Sequence, residues 1–243
     1  MTRSVSYPAP SGAAELAAWT PPNTPVGDRL KGRYTVLEAL DAHVHAEELF
    51  ASYAGHDQVW DYLPYGPFSD LASYSDWVSV TVAQPEHLFY AIRNLETGAL
   101  EGVASYLRIN PASGSIEVGH INFSPSLQQT RAATEALYLM MCWAFDAGYR
   151  RFEWKCDASN IPSRRAAQRL GFSYEGVFRQ ATVVKQRNRD TAWFAVIDAE
   201  WPALRTAFLT WLSPANFEGS LQKARLSALT RTVRVSTDPL LRD

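Results

Sequence analysis

Cysteine is scarce: Cys142 and Cys156 are the two in 243 residues, too few for a disulfide framework in a chain of this length. Both lie inside apolar runs, where buried free thiols are common, so core packing is the expectation for each. No run of about 18 apolar residues occurs, which argues against a membrane-spanning helix. No apolar stretch of signal-peptide length follows Arg3, and a cytoplasmic location is expected. An excess of one charge is lacking too. With 23 Lys and Arg against 25 Asp and Glu, the net charge is −2, which gives little support to nucleic-acid binding. His43 and His45 are two apart on an expected helix and do not share a face, and no Cys or carboxylate cluster completes a ligand set, so no metal is expected. What is present is 47% hydrophobic and 12% aromatic residues, enough for a sizeable core and unlike a disordered chain.

Five of the 14 prolines fall in residues 1–33 (Pro8, Pro10, Pro21, Pro22, Pro25), and residues 1–30 read as an extended Pro-rich arm. Tyr34–Leu40 reads as a strand. Asp41 suits the cap of a helix over roughly 43–54, because its carboxylate can accept from free first-turn amides. The segment Trp60-Asp-Tyr-Leu-Pro-Tyr-Gly-Pro-Phe68 is a turn-rich aromatic loop, followed by a helix over about 70–82. Strands at 87–93 and 99–109 are joined through Asn94-Leu-Glu-Thr-Gly98, a hairpin signal. A further strand spans Ser115–Phe123, where alternation puts Ile116, Val118, His120 and Asn122 on one face and Glu117, Gly119 and Ile121 on the other. Helical spacing recurs from Thr130 to about Ala147. A strand at 151–156, a helix at 160–170 and strands near 173–185 and 191–198 follow. Amphipathic helices are expected at 200–212 and 217–229. This order implies a mixed sheet with helices on its faces, of α/β (α+β) class.

Two segments carry a resemblance. One is Asp157-Ala-Ser-Asn-Ile-Pro-Ser-Arg-Arg165 with Leu170-Gly-Phe-Ser-Tyr-Glu-Gly176 and Arg179; the other is Gln128-Gln-Thr-Arg-Ala-Ala-Thr-Glu-Ala136. On these, residues 31–198 resemble the GNAT superfamily of acyl-CoA-dependent N-acyltransferases, most closely its RimJ/RimL-like branch. The resemblance implies a GNAT-like, mostly antiparallel central sheet flanked by helices, with residues 199–243 as a helical extension packed on the same domain. It also implies acetyl-CoA as co-substrate, with succinyl-CoA a credible alternative donor, and no metal. Gln128, Gln129, Thr130, Arg131, Ala132 and Ala133 occupy the family's pyrophosphate loop, where amides at a helix start favour an anion. Arg131 stands where the family has glycine, either crowding the loop or adding a guanidinium. Ile121, Asn122 and Phe123 match the strand segment whose amides face the thioester carbonyl. Asn160 has two compatible readings, helix cap and pantetheine contact. Ser163 is placed to reach the coenzyme sulfur, since Ala167 stands where many relatives carry a tyrosine. Arg164 and Arg165 either meet coenzyme phosphates or are solvated.

Amide formation from a thioester needs a neutral amine, so its proton must be removed. Glu117, 11 residues before Gln128, is the expected base; the competing reading is a strand glutamate paired with its neighbour. His120 faces away from Glu117 unless a bulge intervenes, and is read as a hydrogen-bonded core residue. In the resembling branch, the loop holding Trp60, Asp61, Tyr62 and Tyr65 and the late hairpin with Arg187-Asn-Arg-Asp190 border the acceptor cleft. A Tyr/Trp wall with one carboxylate suits a cationic amine. The expected reaction is therefore acetyl transfer to a primary amine of a small molecule or peptide, with no nucleic-acid or membrane partner. A noncatalytic binding module of the same fold is the alternative, and homodimerisation is left open.

Overall fold

The computed structural model describes residue 16 and residues 18–241 apart from Ser220. Among the described residues ten strands and six helices follow one another: β1 (Leu30–Lys31), β2 (Thr35–Ala39), α1 (Ala42–Ser52), α2 (Leu71–Val82), β3 (His87–Asn94), β4 (Leu100–Asn110), β5 (Ser115–Phe123), α3 (Arg131–Asp146), β6 (Arg151–Asp157), α4 (Ile161–Arg169), β7 (Ser173–Val184), β8 (Arg187–Ile197), α5 (Trp201–Leu212), β9 (Phe217–Glu218), β10 (Leu221–Gln222) and α6 (Leu226–Thr230). Eight strands form one sheet in the order β1-β2-β3-β4-β5-β6-β8-β7. Every pairing in it is antiparallel except β5 with β6.

Each face of the sheet has its own core. On one side α3 brings Ala136, Met140, Met141 and Ala144 onto Ile116, Val118 and Phe152, and α5 adds Leu204 and Phe208. On the other side α1 and α2 bring Leu49, Tyr74 and Val78 onto Phe89, Ala91 and Val103. Each Val, Leu, Ile, Met or Phe side chain among these contributes about 1.5–3 kcal/mol when removed from water. Short polar caps set the helix starts. Asp41 accepts from the His43 and Val44 amides, Asp70 from Ser73 and Thr130 from Ala133. The buried Glu135 ties α3 to the β1–β2 turn by accepting from the Arg33, Tyr34 and Thr35 amides at 2.9, 2.5 and 2.9 Å.

The flanks are built differently from a pair of added helices. Residues 1–15 of the expected arm lie outside the described residues. Beyond them, Trp19 donates to the Gly148 carbonyl, and Tyr149 donates to that of Asn23. At the other end α5 forms as expected, but the helix expected over 217–229 is replaced by the β9–β10 hairpin and the five-residue α6. Asn216 is the reason: its side chain bonds the Trp211 and Ala224 carbonyls and the Ala224 amide, closing a loop where a helix would run straight. Gly219 at φ 61° turns the chain inside it. Residues 231–241 then run as an extended strap over α4 and β7. Val235 N–H donates to Ser173, Ser236 to the Tyr174 carbonyl, and Asp238 N–H to Gln168. Among the described residues no helix is long and apolar enough to cross a membrane.

Candidate active site

The parallel β5–β6 ladder runs from Ser115↔Arg151 to Val118↔Trp154 and stops there. Both strands continue, β5 to Phe123 alongside β4 and β6 to Asp157 alongside β8. The sheet is therefore unzipped down its middle, leaving a wedge whose walls are the free edges of two strands. A bulge accompanies the opening. Register shifts between Val103↔Asn122 and Ser105↔Gly119, so β5 spends three steps on two of β4, and His120 sits at φ 49°. One extra residue flips the alternation. Glu117 and Gly119 below the bulge thus share a face with His120 and Asn122 above it, while Ile121 and Phe123 join the α3 core.

On that face His120 packs against Tyr65, His87 and Phe89, with ring centroids 5.0–5.7 Å away. Its Nδ1 is 2.9 Å from the Tyr65 hydroxyl. Burial above all, and then the nearby His87, Arg108 and Arg189, push the imidazole down to about 4, so it is neutral at physiological pH. Glu117 is buried below the wedge. Its Oε2 accepts from Lys155 Nζ at 2.8 Å and from Arg108 at 2.9 Å, and Lys155 also reaches Glu153 at 2.8 Å. Lys155 rests 3.7 Å from the centre of the Trp193 ring. Glu117 is thus paired with its neighbours, as the second of its two readings expects.

At the far side of the wedge, β5 leads through a turn into α3. Gln128 donates to the Phe123 carbonyl, Gln129 takes φ 62°, and Thr130 caps the helix. The turn's own bonds use the amides of Leu127, Gln128, Thr130, Ala133 and Thr134. Those of Gln129, Arg131 and Ala132 stay outside them among the described residues, which leaves a cradle for an anion. Arg131 does not crowd it. Its guanidinium is drawn away between the Tyr34 and Phe217 rings, 5.0 and 4.9 Å from their centres, with Glu96 at 3.8 Å.

The family model described as an acetyltransferase (GNAT) domain matches residues 35–173. The chain belongs to the GNAT acetyltransferase family. It is similar to a GCN5-related N-acetyltransferase from Brucella melitensis, 43% identical with a TM-score of 0.87 over 89% of this chain and 100% of that one. A probable GNAT-family acetyltransferase from Chromobacterium violaceum is also 43% identical, with a TM-score of 0.76 over 82% of this chain and 100% of that one. The uncharacterized N-acetyltransferase YnaD of Bacillus subtilis is 28% identical over 86 residues, covering 35% of this chain and 50% of that protein. The match thus spans about half the length of that curated relative.

In this GNAT domain two residues depart from expectation, Arg164 on α4 and Trp60 in the aromatic loop. Asn160 caps α4 by accepting from the Ser163 amide at 3.0 Å, and the Ser163 hydroxyl accepts from Trp154 Nε1 at 3.0 Å. Arg164, expected at a coenzyme phosphate, is instead turned inward. Its guanidinium is clamped by both Asp238 oxygens at 2.6 Å, with 1% and 0% of the two side chains exposed. Trp60, expected on the acceptor wall, is likewise buried, at 3% exposure, with Tyr53 and Phe68 rings at 5.0 and 5.2 Å. The aromatic loop is a small core of its own, and the Trp60 carbonyl accepts from Lys185 of the late hairpin. Asp61 and Tyr62 do face outward. With Asp157–Ser159 and the β7–β8 hairpin they line a cleft of about 870 Å³ at the end of β6. Lys155 and His87 were not singled out from sequence. The alternation Arg151, Glu153, Lys155, Asp157 along one face of a short strand was the available signal for the first of them.

Proposed function

We propose that the protein is an acyl-CoA-dependent N-acyltransferase that uses acetyl-CoA and acylates a primary amine. The observation that carries this reading is the wedge with a free amide cradle at one end and the cleft at the other. The residues present fit such a donor: Gln129, Arg131 and Ala132 would take its phosphates by their amides, and the free edges of β5 and β6 its extended arm. Asn160 and Ser163 would lie beside that arm. When bound, the donor supplies the acyl group as a thioester. The amine nitrogen forms a bond to the acyl carbon as the carbon–sulfur bond breaks; the sulfur keeps that electron pair and takes up a proton, and the amine loses one.

Glu117 Oε2 is engaged by two cations, so the amine's proton leaves to water, with neutral His120, its ring held by Tyr65, as the hydrogen-bond partner that orients the amine or that water. Ser163, oriented by Trp154, is left a hydroxyl proton to offer the departing sulfur. In this reading residues 31–198 form the catalytic domain, the later residues pack on it, and the location is cytoplasmic. The test is a melting curve with millimolar acetyl-CoA or succinyl-CoA, followed by thiol release with a panel of amines. Stabilisation and thiol release support the reading, with His120→Gln slowing turnover more than it weakens donor binding. No stabilisation by either donor overturns it, and protection without transfer to any amine points to a noncatalytic module.

A further inference from the structure

The cleft at the end of β6 is lined by Arg189, whose Nε finds no hydrogen-bond partner among the described residues. Arg189 lies near the start of β8, opposite Thr182 of β7 and two residues before the Thr191↔Asp157 pair that closes the β6–β8 ladder. Its charge is felt both by His120 on β5 and by Cys156 on β6, the two strands that frame the wedge. Its Nε is shielded from solvent, yet has no hydrogen-bond partner. A donor left so is unfavourable, because it has given up water without gaining another partner. No carboxylate among the described residues pairs with it.

The acids lining the cleft do not relieve it. Asp190 is occupied by the Gln180 amide and the Asn188 side chain, and Asp157 by the Ser159 amide and hydroxyl. Lys185 and Arg187 line the cleft with Arg189, and Asp61 lines it with them. Of the carboxylates there, Asp157 and Asp190 already hold hydrogen bonds from their own loops, while Lys185 donates to the Trp60 carbonyl.

We infer that the acceptor is an amine that also bears an anionic group, a carboxylate or a phosphoryl group, and that Arg189 is the residue that holds it. The inference rests on the acyltransferase reading and adds the acceptor class. A guanidinium offers a fixed fork of donors that suits either oxyanion. It would hold the acceptor by its anionic end while the amine points into the wedge beside His120.

The experiment compares three acceptor series with the full-length protein and saturating acetyl-CoA: α-amino acids, aminoalkyl phosphates, and neutral counterparts of each (amino-acid amides and simple alkylamines). For the best acceptor, loss of its anionic group is expected to lower kcat/KM roughly 10- to 100-fold, mainly through KM. Arg189→Gln should cause the same loss with the anionic acceptor and almost none with the neutral one, and Arg189→Lys should recover part of it. The anionic acceptor should also raise the melting temperature in the presence of coenzyme A, and Arg189→Gln should abolish that shift. Preference for the carboxylate or the phosphate series identifies the group. Acetyl-CoA stabilisation unchanged in Arg189→Gln keeps the donor site apart from the result. Neutral amines used as well as anionic ones, or Arg189→Gln affecting both alike, would overturn the inference while leaving the acyltransferase reading intact. No donor binding at all would overturn both.

Discussion

Replacing Asp238 by alanine isolates the lock that holds the C-terminal strap. Arg164 and Asp238 meet through two bonds of 2.6 Å with 1% and 0% of their side chains exposed. Arg164 also donates to the Ala158 carbonyl at 2.6 Å. Asp238→Ala would leave a guanidinium buried with that one carbonyl for company. Breaking such a pair from one side costs about 3–5 kcal/mol. For a chain of this size each kcal/mol moves the melting temperature by about 2–4 °C, so a fall of roughly 6–20 °C is expected. Removing both charges is a different perturbation. In Arg164→Met with Asp238→Leu the desolvation penalty disappears with the attraction, so most of the loss should be recovered. Urea titrations followed by tryptophan fluorescence measure all three proteins, and acetyl-CoA titration measures whether Arg164 also serves the donor. The reasoning fails if Asp238→Ala unfolds within about 1 kcal/mol of the parent, or if the double variant is no better than the single one. It also fails if Arg164→Met lowers acetyl-CoA affinity in protein that remains folded.

Three shorter predictions follow from other contacts. His120 is held down to about 4 from an ordinary 6.5, chiefly by burial. Between those values the unfolded chain takes up a proton that the folded one refuses, so stability should fall as pH drops from 6.5 to 4. His120→Phe should flatten that slope in urea midpoints measured across the range. A Cβ on Gly32 would sit 2.3 Å from Glu135 Oε2, a carboxylate pinned by three amides; Gly32→Ala should cost about 1–3 kcal/mol in chemical denaturation. Arg131→Gly restores the residue the family's loop carries and removes the two ring contacts. About 1–2 kcal/mol of stability should be lost, while calorimetric titration should show acetyl-CoA affinity undiminished, because the guanidinium already points away from the cradle.

How much of this was legible in the sequence depended on the range of the interaction concerned. The helix starts at Asp41, Asp70 and Thr130 are set by a side chain and an amide two or three residues away, and local pattern is enough to find them. The Arg164 and Trp60 corrections are of another kind. The strap's carboxylate arrives from 74 residues further on, and Trp60 is buried by a cluster that reaches Tyr53 and Trp77. No window around Arg164 contains the partner that decides its place, and around Trp60 the nearby aromatic residues carry no periodic pattern that shows they close into a core. Glu117 was undecided for the same reason, since Lys155 comes from the neighbouring parallel strand.

The bulge is the instructive intermediate case. Strict alternation puts His120 opposite Glu117, and a single inserted residue between Ser105↔Gly119 and Val103↔Asn122 puts them on one face. Period-2 patterning carries no mark of such an insertion, because it is a property of the pairing and not of one strand. Here the bulge falls where β5 leaves β6, turning His120 towards Tyr65 while Ile121 and Phe123 stay with the α3 core. Without it the same nine residues would bury the imidazole under α3 and expose Ile121 to the cleft. The register shift that defeated the sequence pattern is therefore the feature that brings a titratable group to the wedge.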